Sequence, residues 1–103
     1  MQDSIEIDTG KAKSIEYHLP QGMALSVNVY SIDISTVMLT DEAGRADYLT
    51  GQTTETWVKS SGSQHHLVSG IVLPYRDKWF LLIENNSKIA ITARYGIFIA
   101  PFV

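Results

Sequence analysis

Few residues in this chain have the types and spacing that chemistry requires. His65 and His66 are adjacent, and neighbouring side chains on a strand point to opposite faces, so both imidazoles could hold one metal only from a loop. A zinc or copper site wants three convergent ligands, and spacing brings neither His18 nor a carboxylate beside the pair. No metal or cofactor is expected. At an interface, either imidazole would make association sensitive to pH near neutrality. Ser60, Ser61 and Ser63 lie just upstream; a serine nucleophile needs a histidine within reach and a carboxylate to orient it. The strained Gly-x-Ser-x-Gly turn is missing, and Ser61-Gly62-Ser63 reads as a mobile loop. Asp41 with Glu42, and Asp47 with Glu55, could be paired as acid and base for glycoside hydrolysis, but they read better as solvated turn charges. The chain is not expected to be an enzyme.

The aromatic residues are better candidates for a site. A ring projecting from the rim of a β domain can stack on a sugar face or anchor a partner. Trp57, Tyr48 and Tyr75 are the candidate ligand-binding residues, whereas Trp79 opens an apolar run and reads as core. Phe98 and Phe102 belong to the uncharged stretch 97–103, which should be tucked into a sheet or covered by another subunit; they are the candidate partner-binding residues. Asn85-Asn86-Ser87 matches the N-glycosylation pattern but reads as a hairpin turn.

Composition sets the frame for these residues. The chain has 103 residues, 45% of them hydrophobic and 18% charged, which suits one folded domain over 1–103, with 1–12 as a loose N-terminal extension. Eight Lys and Arg stand against eleven Asp and Glu, a formal net charge of −3. No basic stripe is present to displace phosphate counterions, so nucleic acid is set aside as a partner. There is no cysteine, which removes disulfides and thiolate chemistry and favours a reducing compartment. The acidic first residues lack the pattern of a signal peptide, and no apolar run has the length of a membrane helix. A cytoplasmic location without membrane insertion is expected, or secretion if a leader has been removed.

The elements that must position these residues read as strands. Residues 14–19 alternate, with Ile15, Tyr17 and Leu19 on one face. Residues 23–30 alternate more cleanly, with Met23, Leu25, Val27 and Val29 on the core side. A short strand over 36–40 leads to a type I turn at Asp41-Glu42-Ala43-Gly44. Residues 45–52 read as a loop or a single turn interrupted by Gly51. Strands follow over 53–60 and 65–73, the latter broken by Gly70 and ended by Pro74, with 60–64 as the mobile loop between them. Trp79-Phe80-Leu81-Leu82-Ile83-Glu84 and residues 88–99 then read as an antiparallel hairpin. The fold expected is all-β, an antiparallel β-sandwich of about seven or eight short strands, jelly-roll or GOLD-like, with a small β-barrel as runner-up.

Leu19-Pro20-Gln21-Gly22, the strand 24–30, Val37-Met38-Leu39-Thr40-Asp41, and the segments 70–74 and 79–85 follow one another in an order that resembles GOLD-type (Golgi dynamics) domains. Small bacterial domains of unknown function look similar. The resemblance implies a sandwich fold and a non-catalytic role in protein or lipid interaction. It departs from the membrane-trafficking members, which carry cysteines and a membrane helix. The function expected is a non-catalytic binding module that meets a protein partner, including a second copy of itself. Alternatives are a carbohydrate-binding module that uses rim aromatics on a glycan and, last, a small hydrolase.

Overall fold

The computed structural model describes residues 3–19, 21–22, 24–52, 56, 58–74 and 77–100. They form six strands and one helix: β1 (Asp3–Ile7), β2 (Ala12–Leu19), β3 (Ala24–Asp41), α1 (Glu42–Leu49), β4 (Val58–Val72), β5 (Asp77–Asn85) and β6 (Ile91–Ala100). All pairings are antiparallel, in one sheet ordered β1-β6-β3-β5-β2, with β4 on the other edge of β3. The fold is thus all-β. Of the two architectures weighed, the single sheet takes the barrel-like one and curls into a half-barrel.

The curl follows from strand length. An untwisted strand of the 18 residues in β3 would span about 60 Å, yet the largest extent of the molecule is 42 Å. β3 must therefore bend, and it does so between Tyr30 and Ser35, where the pairing with β4 shifts register. Its first half pairs with β6 and its second half with β5. What reads in sequence as two strands, 23–30 and 36–40, is one bent strand.

The expected hairpin at Asn85-Asn86-Ser87 does not form. β5 and β6 both run antiparallel to β3, one after the other along the same edge, so the chain steps sideways at 86–90 without reversing. β1 and β2 do likewise against β6 and β5, stepping at Gly10, whose φ of +71° suits glycine. Within the segment expected as a loose N-terminal extension, Asp3–Ile7 is a strand paired with β6, with Ile7 fully buried.

β4 departs furthest from expectation. Ser60 to Gln64 is strand, not a mobile loop, and Gly70 does not end it. Gly62 and Gly70 have φ of +71° and +73° and sit where the register with β3 slips, Gly62 beside Ser35/Thr36 and Gly70 between Leu25 and Val27. Both are bulges, which a glycine in the left-handed region accommodates, and each adds twist. A glycine reads as a breaker in sequence because a bulge and a turn require the same φ.

Residues 45–52 also differ, because Asp41 caps a helix. Its Oδ1 accepts from the Gly44 N–H at 2.8 Å, satisfying one of the orphan donors of the first turn. Gly51, φ +77°, ends the helix without interrupting it: the Gly51 and Gln52 N–H groups donate to the Tyr48 and Asp47 carbonyls, a Schellman closure.

The concave face holds the main core. Leu25, Val27, Val29, Leu81, Ile83 and Trp79 are fully buried, joined by Ile7, Val37, Leu39, Leu73 and Ile91. The alternation read in 23–30 is that of the described strand, although Met23 itself lies outside the described residues. A second, smaller cluster of Met38, Phe80 and Leu82 faces outward under α1, with Tyr48 packed on it and the Arg45 guanidinium 4.9 Å from the Phe80 ring centre. The uncharged stretch is strand through Ala100, Phe98 facing outward and 43% exposed; Phe102 lies outside the described residues. Leu25→Ala should lower the unfolding free energy by about 2–5 kcal/mol, measured by urea denaturation at unchanged m-value.

Candidate functional site

Outward-facing side chains of β3, β4 and β5 and the end of α1 enclose a groove of about 510 Å³, lined by Thr36, Met38, Tyr48, Gln52, Thr56, Lys59, Ser61 and Glu84. The register explains this grouping. Thr36 lies opposite Ser61 on β4 and Glu84 on β5, and Met38 lies opposite Lys59 and Leu82. Period-two alternation brings all of them to the convex face, and the short α1 leaves the row nearest the bend open.

Glu84 is the fixed point of the groove. The Tyr48 hydroxyl donates to Oε2 at 2.6 Å, the Asn86 Nδ2 donates to Oε1 at 2.8 Å, and the Thr36 hydroxyl in turn donates to the Asn86 Oδ1. Burial, reinforced by the bond to Glu84, pushes the Tyr48 phenol up to about 12, so it stays a donor throughout the physiological range. The carboxylate is thereby held in one orientation with one lone pair of each oxygen still unused.

Of the ligand-binding candidates, Tyr48 is in the groove, though its ring packs on Met38, Phe80 and Leu82 and is not a free stacking platform. Trp57 and Tyr75 lie outside the described residues. Sequence reasoning missed Glu84, Lys59 and Thr36. The one available signal was Glu84, the lone charge closing the apolar run from Trp79.

The two histidines part company as strand neighbours must. His65 is exposed, with its Nε2 2.9 Å from the Asn28 Oδ1 and its ring edge-on to Tyr30. His66 is 2% exposed, with Nε2 3.0 Å from the Ser35 hydroxyl and Nδ1 2.8 Å from the Ser60 hydroxyl. Ser60 thus meets a histidine, but a second hydroxyl occupies the place where a catalytic triad has a carboxylate. Asp41 is the helix cap, and Glu55 lies outside the described residues. Among the described residues, no three His, Cys, Asp or Glu side chains converge as metal ligands. Asn85, the sequon asparagine, is 1% exposed with its amide fully bonded, so the folded protein cannot present it for glycosylation.

Burial lowers the His66 pKa below its ordinary value, with the nearby His65 acting in the same direction. The unfolded chain therefore binds the proton at higher pH than the folded one does. Stability is whole above the unfolded value of about 6.5 and falls as pH drops through it toward the lowered folded value. Melting temperature should decline between pH 7.5 and 5, and His66→Gln should flatten that decline in thermal scans across the range. Equal slopes for the two proteins would remove His66 as the cause.

Compared with known proteins, the chain matches no family model, and no curated protein is recognisably similar to it.

Proposed function

We propose that this protein is a non-catalytic interaction module that associates with a second copy of itself by strand addition along β4. The observation that supports the reading is the chemistry of that edge. Among the described residues β4 pairs with β3 alone, and it carries no Asp, Glu, Lys or Arg over 60–72. Unpaired strand edges invite pairing, and proteins that stay monomeric protect them with charge, proline, bulges or a covering element. The opposite edge, formed by β1 and β2, is guarded by Asp3, Glu6, Lys13 and Glu16. β4 has bulges at Gly62 and Gly70 but nothing between them that repels a second strand.

A two-fold antiparallel pairing of the stretch between the bulges is self-complementary, as a symmetric interface must be. It places no like charges opposite each other while His65 and His66 are neutral. The convex face beside this stretch is apolar: Leu67 is 64% exposed, and Tyr30, Val72 and Phe98 are also exposed. Register puts them on the side of the sheet that Leu25, Val27 and Val29 do not use. Joining two copies at β4 would continue that face across the axis. The reading agrees with the non-catalytic interaction role that the resemblance to GOLD-type domains implies.

Light scattering over a concentration series should give a dimer mass in the micromolar range. Leu67→Lys places a charge on the exposed side of the edge and should yield monomer at unchanged melting temperature. A wild-type protein that remains monomeric at the highest concentrations would overturn the proposal.

A further inference from the structure

We propose that the groove beside α1 binds a neutral polyol of mono- or disaccharide size, whose neighbouring hydroxyls donate to Glu84. The argument begins with charge. Among the described residues of the lining, Glu84 and Lys59 are the charged ones, and they stand on β5 and β4, with β3 between them. A small anion drawn to Lys59 meets the Glu84 carboxylate, and a small cation drawn to Glu84 meets Lys59. An uncharged ligand that offers donors to one and acceptors to the other satisfies both.

Geometry narrows the class. Each Glu84 oxygen already accepts one hydrogen bond, from Tyr48 or Asn86, which fixes the carboxylate plane and leaves each oxygen room for one more donor. Two vicinal hydroxyls match that pair of sites, and a bond to an ionised acceptor is the stronger kind. Thr36, Thr56 and Ser61 add hydroxyls around the rim, and Met38 lies at the apolar floor. The volume lies within the range of small-molecule sites. Tyr48 is here a positioning residue, acting through Glu84. This inference does not depend on self-association, because the groove uses side chains of the convex face and not the backbone edge of β4.

The test is an amide-shift titration of the ¹⁵N-labelled full chain with maltose, cellobiose and N,N′-diacetylchitobiose. At least one should cause saturable shifts at Lys59, Ser61, Glu84 and Asn86, with weak affinity in the millimolar range. Glu84→Gln, nearly isosteric, should weaken binding by about tenfold or more, the loss expected when a charge-assisted bond becomes neutral. Tyr48→Phe keeps the ring but releases the carboxylate and should weaken it less. If Glu84→Gln fails to fold, Lys59→Ala at an exposed position takes its place and should also weaken binding. The monomeric Leu67→Lys variant should bind as the wild type does, which separates this proposal from the dimer. No groove shifts with any of the three sugars, shifts that survive both the Glu84 and Lys59 substitutions, or shifts elicited instead by free lysine would overturn it.

Discussion

The bend in the sheet depends on one amide. The Asn85 side chain donates from Nδ2 to the carbonyls of Ile7 and Ile89, at 2.9 and 2.8 Å. Its Oδ1 accepts from the N–H and the hydroxyl of Ser87, at 2.8 and 2.7 Å. Every donor and lone pair of the group is used, and the Asn85 N–H adds a bond to the Lys11 carbonyl. The two places where the chain steps sideways, between β1 and β2 and between β5 and β6, are thus tied to each other inside the protein. Without that side chain the Ile7 carbonyl would lose its side-chain donor in the interior, a deficit of about 1–3 kcal/mol for a buried group left unsatisfied. A carboxylate there would be worse, since it offers those carbonyls no donor.

The remaining strands bend at the same level. Asn85 is the register partner of Ser35, and the Asn86 N–H donates to the Ile34 carbonyl, so the step between β5 and β6 is bonded to the bend of β3. On the far side of β3, Ser35 and Ser60 hold the two nitrogens of His66, while the Ser31 hydroxyl donates to the Asp33 carbonyl at 2.7 Å. A belt of small polar side chains therefore crosses the sheet between two apolar halves. The reason is bookkeeping of backbone groups: wherever a ladder shifts register, N–H and C=O groups lose their partners and side chains must replace them.

The legible parts of this fold were those governed by period. Leu25, Val27 and Val29, or Leu81 and Ile83, can alternate as they do only if one side of a strand is buried. The parts that were not legible hinge on residues whose local preference fits two structures. Gly62 and Gly70 suit a turn or a bulge equally, and Gly51 suits a helix interruption or a helix end. Asn85-Asn86-Ser87 suits a reversal as well as a sideways step, and the choice is made by Ile7, far away in sequence. Asp41 announces a turn or a cap, and the outward apolar cluster of Met38, Phe80 and Leu82 decides for a helix by needing a cover. The candidate site was less legible still. Glu84, Thr36, Lys59 and Ser61 come together through cross-strand register, which spacing along the chain does not encode.

The bend also explains why this sheet has two different outer surfaces. Past it, β3 and β5 carry Met38, Phe80 and Leu82 outward, and α1 covers them. Before it, β3 and its neighbours carry Tyr30, Leu67, Val72 and Phe98 outward, and no described element covers those. Eight residues of helix span about 12 Å, too short to shield both halves of a sheet whose central strand has 18 residues. A longer helix would shield the apolar half but would also close the groove over Glu84. The short helix leaves one polar recess and one apolar face on the same side of the sheet, separated by the bend. A ligand with hydroxyls suits the first, an extended sheet suits the second, and neither has to displace the other.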